Sequence, residues 1–582
     1  MSAPRNPFQY EAASKLNAAD VCQYYVENHN HTRFIRSKRN ILLVGDRGSG
    51  KSMALRYHSL PIQTLKSKID DEELDLSLVC IHVPCNTPLM HRREYDLLES
   101  ASLVSVLGEH FLVVSILIAT CKTFLEASIT LKPGELKRVQ ERLELLWGAD
   151  LSMEDCVWDA IDIWCQSQLR EAQRAMNRSA EFDYRDAMSF VSGVVPFFEA
   201  LRKTRAFQHT HFSIMLDDVQ DLTQSQTEVA NSWLAYRDNS LFSFKIARTK
   251  TGGVRLRTSS GGQVIEGHDF TRIDMEGDYQ NKQSDFGKLA REIVSRRLDT
   301  SDVVSNPEDF FPVHDDFLVA LEEAGEAVKA EAIEKYGIDN QKAVNDHVYK
   351  YRRVHFFRNR PAKANTPTIA YTGFDTLVEL STGIIRNLLE PCYWMYDKFL
   401  SDHPDGQVCE SISPTLQSEV ILELSQKKWD QIRSLPLSGT CSENEAIALG
   451  KLLEHLAVLF RERLEKHESE PRAIKLFVTG ESFEHTDEVV ELLGVGQRAQ
   501  LIYTYESSGK EKGSRRTYYV PNRMLWPVRS LDPCGQHSVV SILAEKLWRA
   551  AFENKPIPMT EIAKRNASKE EKDKQKELFG NG

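Results

Sequence analysis

The sequence has ten cysteines but no C-x-x-C pair, and its 582 residues contain no apolar run long enough to span a bilayer. Scattered cysteines of this kind argue against a zinc site and a disulfide framework, and they favour buried thiols in a reducing compartment. The most apolar stretch, residues 111–121, is flanked by polar and charged side chains and is typical of a buried helix. Residues 1–15 lack the apolar core of a signal peptide. We therefore expect a cytoplasmic protein with no membrane partner.

The sequence also lacks an internal repeat, a Ser/His/Asp or Cys/His combination that could support nucleophilic catalysis, and a strongly basic composition. The net charge of −11 argues against a surface that is basic throughout, although it permits a local basic patch. Hydrophobic residues make up 41% and charged residues 27% of the chain, as in soluble globular proteins. At this length we expect several domains.

A glycine-rich loop is the most informative feature that is present. Residues 40–52 read N-I-L-L-V-G-D-R-G-S-G-K-S, an apolar run that leads into the pattern G-x-x-x-x-G-K-S. The glycines allow successive backbone N–H groups to curl around a phosphate, and the helix that follows directs its positive end at the same anion. Lys51 can reach the β- and γ-phosphates, and the Ser52 hydroxyl can ligate Mg²⁺. The sequence therefore predicts an ATP- or GTP-binding loop formed by Gly45, Asp46, Arg47, Gly48, Ser49, Gly50, Lys51 and Ser52.

A later strand supplies the acidic residues that such a loop needs. Residues 212–218 read F-S-I-M-L-D-D, an apolar run that ends in two carboxylates. The end of a parallel strand reaches the ligand edge of the sheet, where a carboxylate can hold Mg²⁺. We expect Asp217 on the Mg²⁺ side of the site and Asp218 beside the attacking water, which it would orient or deprotonate. A solvated acidic turn is the alternative interpretation.

Two arginines are candidates for contact with the γ-phosphate. Arg248 ends the next predicted strand, K-I-A-R-T, and could approach the phosphate from the side. Arg386 belongs to the helical stretch S-T-G-I-I-R and could come over the nucleotide as part of a lid. The arginine side chain suits this task because its planar fork stays charged and donates two hydrogen bonds at once.

The order of the predicted elements indicates an α/β fold. Apolar runs predict strands at residues 40–44, 78–84, 212–216 and 241–247, and residues 269–275 are the candidate for a last strand. Helices between the strands favour a parallel sheet. We expect Pro61 to end the helix that begins at Gly50. Helical periodicity alone runs through the block 97–204, which predicts a helical insertion, and it dominates residues 284–400 and 414–468. A helix at 486–494 and a β-hairpin at 500–520 follow.

These pieces, in this order, resemble the AAA+ ATPases of the origin-recognition and initiator type and the signalling NTPases that share their architecture. The resemblance covers roughly residues 35–95 and 205–400. It implies an α/β P-loop NTPase fold with a parallel sheet core, a helical lid and a C-terminal winged-helix-like domain. The large helical insertion at 97–204 departs from the short connection that is usual in the family. The expected segments are a lead-in (1–39), an AAA+ core (40–96 and 205–280), the insertion (97–204), the lid (281–402), a helical linker domain (403–470), the winged-helix-like domain (471–553) and a charged tail (554–582).

The same resemblance implies ATP and Mg²⁺ as cofactors, hydrolysis by in-line attack of water, and a homo-oligomer in which a neighbour's arginine closes each site. Arg237 is the candidate for that arginine. Many hydrolysing relatives carry a longer Glu where this chain has Asp218, so slow turnover is one expected consequence. A narrower resemblance, to bacterial initiator-like ATPases of antiviral defence modules, rests on the runs 518–527 and 33–39. An effector protein is the expected partner if the chain acts as a nucleotide-gated scaffold.

The hairpin at 500–520 carries a basic turn. Its cationic residues could contact DNA phosphates in a sequence-independent way, and a solvated loop is the equal alternative. The residues are Lys510, Lys512, Arg515 and Arg516. Three functions therefore remain open from the sequence: an ATP-hydrolysing oligomeric machine that engages DNA or a partner protein, a nucleotide-gated scaffold with little turnover, and a DNA-binding regulator.

Overall fold

The computed structural model describes most of the chain, which forms two compact units. The N-terminal unit comprises residues 11–275, and the C-terminal unit comprises residues 1–10 and 276–582. The finer division into seven segments stays a prediction. The residues outside the description are 1–5, 9–12, 28–30, 86–97, 99, 153–155, 178–185, 236–239, 251–255, 277–282, 300–305, 360–368, 405–406, 467–470, 481, 509–514, 536–538 and 560–582.

A five-stranded parallel sheet forms the centre of the N-terminal unit. Its strands are β1 (Ile41–Val44), β2 (Leu78–Pro84), β3 (His211–Asp217), β4 (Phe242–Arg248) and β5 (Thr271–Asp274). They lie in the order β2-β3-β4-β1-β5, and every neighbouring pair is parallel. Because parallel strands end at the same edge, the residues that follow β1, β3 and β4 are brought together there. The sequence predicts all five strands, and the predictions are confirmed.

Both faces of this sheet are buried. Leu42, Val44 and Leu216 point into the core on one face, while Leu43 and Met215 point into the core on the other. A parallel sheet that is covered on both faces is typical of α/β proteins, in which the crossover helices supply the covering layers.

Short helices precede and follow the first strand. They are α1 (Ala18–Tyr24), α2 (Thr32–Ile35), α3 (Lys51–His58) and α4 (Leu60–Asp70). The prediction that Pro61 ends the first long helix is wrong in detail. The helix that begins after Gly50 already ends at His58, and Pro61 lies in the first turn of α4. Proline is tolerated there because the first turn of a helix needs no backbone N–H donor.

The block between β2 and β3 is helical, as its periodicity predicts. It contains α5 (Ala101–Glu126), α6 (Pro133–Trp147), α7 (Val157–Asn177) and α8 (Val194–Arg202), and α9 (Gln224–Leu234) follows β3. Pro133 opens α6, and Gly148 ends it with a left-handed backbone at φ +64°. These are the residues that favour helix starts and stops, respectively.

Helix α5 is longer than the eleven-residue apolar stretch at its centre suggests. Among the described helices, it is the one whose length and composition would allow it to cross a membrane, with a mean hydropathy of 2.0 over its best window. More than half of that window, 56%, is buried inside the protein. Phe111, Ile116 and Phe124 are fully buried in the same core as the sheet. This packing is that of a core helix, as the sequence predicted.

The C-terminal unit begins with eight helices in the described part of the chain. They are α10 (Gln283–Asp299), α11 (Pro307–Phe310), α12 (Asp315–Tyr336), α13 (Gln341–Asn359), α14 (Phe374–Leu380), α15 (Ile385–Asp402), α16 (Pro414–Ser434) and α17 (Glu443–Lys466). The expectation that residues 284–400 and 414–468 are mostly helical is confirmed.

A second, mixed sheet follows these helices. Its elements are β6 (Lys475–Thr479), α18 (Thr486–Arg498), β7 (Ile502–Ser508), β8 (Arg515–Pro521), β9 (Val539–Leu543) and α19 (Ala544–Phe552). The strand order is β7-β8-β6-β9, in which β6 pairs antiparallel with β8 and parallel with β9. The predicted helix and hairpin are therefore present, whereas β6 and β9 were not predicted.

The run 518–527 links this sheet to the helices. The backbone N–H of Arg523 donates to Thr382 Oγ1 at 3.0 Å, and its guanidinium pairs with the Glu379 carboxylate. The Asn387 amide donates to the Tyr503 hydroxyl at 2.8 Å. The first turn of α15 is thereby fixed to the second sheet within one compact unit.

Candidate nucleotide-binding site

The glycine-rich loop lies between β1 and α3, as predicted. The backbone N–H of Gly45 donates to the Arg248 carbonyl oxygen at 3.2 Å, and the Ser49 N–H donates to the Asp46 carbonyl oxygen at the same distance. Gly48 and Gly50 have φ angles of +89° and +96°, which favour glycine because a side chain at Cβ would clash. The loop therefore reverses tightly and directs the start of α3 back toward the end of the sheet.

Lys51 is held by the loop it follows. Its side chain is buried, and Nζ donates to the carbonyl oxygens of Gly45 at 2.8 Å and Asp46 at 2.9 Å. A third hydrogen bond, of 3.4 Å, reaches Ser49 Oγ. A buried ammonium costs folding energy unless such acceptors surround it. The positive charge is thus placed at the phosphate loop, where a phosphate group can pair with it.

Asp217 lies at the end of β3, close to the start of α3. It is 3% exposed, and its Oδ2 lies 3.1 Å from Nε2 of His82 on β2. Burial alone would raise the pKa of Asp217, but the His82 hydrogen bond, the Ser52 hydroxyl and the Lys51 charge together lower it below its usual value. The carboxylate therefore stays ionised at neutral pH. A hydroxyl and an ionised carboxylate side by side are oxygen ligands that suit Mg²⁺.

Comparison with known proteins places the sequence in a family. The profile of the ORC-CDC6-like family matches residues 6–336 and 308–542. The chain belongs to the ORC-CDC6-like family. None of the curated proteins matches it. Among solved structures, the Aeropyrum pernix Orc1 protein in complex with DNA aligns with 85% of this chain and 87% of its own, at 10% identity and a TM-score of 0.25. A score this low does not establish a shared fold.

Family membership and the parallel sheet confirm the fold class for this ORC-CDC6-like protein, namely an α/β P-loop fold of the AAA+ type. They also show that the chain is an origin-recognition or initiator-like ATPase, and they imply that it binds a nucleotide. The roles of individual residues do not follow from membership, so they rest on the geometry of the site.

Asp218 and Arg248 of the ORC-CDC6-like protein lie at the same edge of the sheet as the loop. Asp218 directly follows β3 in a left-handed backbone conformation, φ +56°. Burial raises its pKa, and the charge of neighbouring Asp217 raises it further. Arg248 ends β4 and is paired with Val44 of β1. Burial lowers the pKa of Arg248, and the charge of Arg272 on β5 adds to that effect.

The other predicted residues belong to the C-terminal unit or lie outside the described residues. Arg386 lies in the first turn of α15 in the C-terminal unit, and its role stays a prediction. Arg516 is exposed on β8, with its guanidinium 5.5 Å from the centre of the Phe477 ring. Three of the remaining predicted positions lie outside the described residues, namely Arg237, Lys510 and Lys512. Arg515 belongs to β8, but its side chain is not described.

Two polar residues at the site were missed from the sequence. His82 contacts Asp217, and Gln220 donates from Nε2 to Asp218 Oδ1 at 3.0 Å. Pro84 lies opposite Asp217 in the sheet, and His82, two residues before Pro84, lies on the same face of β2. That relation could have been derived only if β2 and β3 had been known to be neighbours.

We expect Gly50→Ala to destabilise the N-terminal unit by about 1–2 kcal/mol, because alanine disfavours the left-handed backbone that Gly50 adopts. Gly134→Ala is the matched control in α6, where an added Cβ meets nothing within 4 Å. That change is expected to stabilise by about 0.5–1 kcal/mol. Thermal unfolding of the two variants measures the difference, and equal shifts in the same direction would contradict the assigned loop conformation.

Proposed function

We propose that this protein binds Mg²⁺·ATP at the loop 45–52 and hydrolyses it by in-line attack of water. The observation that carries the proposal is the cluster of Lys51, Ser52 and Asp217, which combines a buried cation with two oxygen ligands at the start of a helix. Ser52 and Asp217 would hold Mg²⁺, which when bound neutralises charge on the phosphate oxygens. Lys51 would bind the β- and γ-phosphates, and the backbone N–H groups of the loop would orient them.

In the proposed reaction, Asp218 accepts a hydrogen bond from the attacking water and takes its proton as the new bond from the water oxygen to the γ-phosphorus forms. The bond between that phosphorus and the β–γ bridging oxygen breaks on the opposite side, and ADP and phosphate leave. Arg248, at the end of β4, would stabilise charge on the γ-phosphate from the side. Arg386 would do so from the lid. Preorganised cations of this kind act on the transition state because charge spreads over the γ-phosphate oxygens there. Phosphate release by the purified protein with ATP and Mg²⁺ tests the proposal.

A nucleotide-gated switch with little turnover is the second candidate. It is favoured by the identity of residue 218, because an aspartate side chain is shorter than that of a glutamate and its carboxylate has less reach toward a water molecule. Stable ATP-bound protein with negligible phosphate release would support the switch over the hydrolase.

The two candidates are separated by the variant Asp218→Asn. Asparagine tolerates the left-handed backbone and can still accept the hydrogen bond from Gln220, so the change removes little except the charge. If Asp218 is the base, phosphate release is expected to fall about a hundredfold while ATP affinity is kept. Asp221→Asn, three residues along the same turn, is the control and should leave the rate within about twofold. Unchanged release in Asp218→Asn would remove Asp218 from the reaction.

We also propose that the β7–β8 hairpin contacts DNA phosphates. The support from the described residues is Arg516, which is exposed on β8 and lies over Phe477. Each phosphate contact releases bound counterions, so Arg516→Gln is expected to reduce the slope of log affinity against log salt by about 1 for any DNA sequence. Arg549→Gln is the control, because Arg549 on α19 already pairs with Glu545 at 2.7 Å. An unchanged slope in Arg516→Gln would end this proposal.

The assembly and the cellular role of the protein stay predictions from the sequence. They are a homo-oligomer with Arg237 of a neighbouring copy at each site, an effector protein as partner, a role in antiviral defence and a cytoplasmic location. Particle mass with and without ATP tests the first of them, since a nucleotide-dependent increase is expected only if the nucleotide closes an interface between copies.

A further inference from the structure

Gln220 lies in the turn Val219–Asp221, directly after the two acids of β3, and its amide group makes two hydrogen bonds. Nε2 donates to Asp218 Oδ1 at 3.0 Å. Oε1 accepts from the backbone N–H of Thr249 at 3.1 Å. One side chain thereby joins the segment that follows β3 to the segment that follows β4.

The bridge lies beyond the regular pairing of the two strands. The β3–β4 ladder ends with Leu216 opposite Ile246. Past that pair, the chain segments carry the residues of the proposed reaction, with Asp218 on one side and Arg248 on the other. The carbonyl oxygen of Arg248 also accepts from Gly45 of the phosphate loop. A continuous series of contacts therefore runs from the loop, through the end of β4 and Gln220, to the Asp218 carboxylate.

The direction of the Gln220 amide is set by its partners. The Thr249 backbone N–H can only donate, so the amide oxygen must face it. The amide NH₂ is then left to face Asp218, where it donates to a carboxylate oxygen. Because Asp218 sits in a left-handed turn with φ +56°, its backbone aims the side chain differently from that of an ordinary strand residue. The bond from Gln220 is what restricts its carboxylate further.

We propose that Gln220 is a positioning residue, which aims the Asp218 carboxylate at the attacking water and ties its position to the strand end that carries Arg248. This inference rests on the proposed function, in which Asp218 accepts the proton of that water. Contact between a γ-phosphate and Arg248 would be transmitted to Asp218 through Thr249 and Gln220. The Asp218 carboxylate would then be placed to accept the proton of the water only when the end of β4 is itself in place.

The test compares Gln220→Leu and Gln220→Glu with the matched control Gln226→Leu. Gln226 belongs to the same connection, but its side chain serves the capping box of α9 with Thr223. Single-turnover phosphate release, which detects slow hydrolysis, is read together with KM for ATP and the melting temperature. We expect Gln220→Leu to lower the rate about tenfold with KM within about twofold, because a hydrogen bond to a charged group is lost. Gln226→Leu should lower the melting temperature and leave the rate unchanged.

Gln220→Glu tests separately the hydrogen bond with Thr249 and the hydrogen bond with Asp218. It can still accept from Thr249, but it places a like charge beside Asp218, so the rate should fall at least as far as in Gln220→Leu. In an Asp218→Asn background, Gln220→Leu should have no further effect, because the two residues act as one unit.

Three results would overturn the inference. The rate could be unchanged in Gln220→Leu, the loss could appear in KM alone, or Gln226→Leu could lower the rate by the same factor. Failure of the proposed function looks different, because Asp218→Asn or the phosphate-loop variant Lys51→Met would then leave hydrolysis intact. If those variants are inactive while Gln220→Leu is fully active, the proposed reaction stands and the role of Gln220 falls.

Discussion

Lys51→Met is expected to lower ATP turnover about a thousandfold, the loss typical of removing a preorganised charge from a phosphoryl-transfer site. Methionine has nearly the length of lysine but no charge, so the variant tests the ammonium rather than the space it fills. ATP affinity should fall as well, since Lys51 would contact the phosphates in the ground state. The measurement is phosphate release together with binding of a fluorescent ATP analogue.

A cost to folding must be separated from this loss of activity. Lys51 is 5% exposed and donates to Gly45, Asp46 and Ser49, so methionine leaves three acceptors without this donor. We expect destabilisation of about 1–3 kcal/mol. Lys68→Met, at an exposed position on α4, is the control and should change neither property. Full turnover in a folded Lys51→Met protein would contradict the assignment of the loop.

Asp217→Asn is the second variant with a large expected effect. The amide has the shape of the carboxylate but none of its charge, so it should bind Mg²⁺ much more weakly. Turnover at a fixed, low Mg²⁺ concentration is expected to fall about a hundredfold or more. Because Mg²⁺ binding is the property lost, a higher Mg²⁺ concentration should restore part of the rate.

The sign of the pH effect on Asp217 follows from its lowered pKa. A carboxylate whose pKa is lowered by folding stabilises the protein above its unfolded pKa, and that contribution is lost as the pH falls through the folded pKa. Asp217→Asn should therefore be less stable than the parent protein at neutral pH and approach it in acid. Asp70→Asn, exposed on α4, serves as the control. Equal Mg²⁺ dependence in Asp217→Asn and the parent would exclude Asp217 as a metal ligand.

The elements around the site could be predicted because each has a local signal. Residues 78–84 form an apolar run that ends in a proline, and β2 has those same bounds in the structure. The loop 45–52 combines its glycines with a preceding strand and a following helix. Pairs such as Lys51 and Asp217 could be placed together without coordinates, since parallel strands end at one edge of the sheet.

Contacts that depend on strand order could not be derived. His82 reaches Asp217 only because β2 lies beside β3, and Gln220 reaches Thr249 only because β3 lies beside β4. Nothing in the spacing of these residues along the chain indicates either pairing. The same holds for β6, which pairs with β8 on one side and with β9 on the other, since both pairings join segments that are distant along the chain.

The most direct test of the proposed Mg²⁺·ATP site is the rate of phosphate release at saturating ATP, measured as the Mg²⁺ concentration is raised from zero, for the parent protein and Asp217→Asn. We expect no release without Mg²⁺, a saturable rise in the parent, and a midpoint moved to higher Mg²⁺ in the variant. Release that is insensitive to Mg²⁺, or a midpoint that is the same in both proteins, would contradict the proposed site.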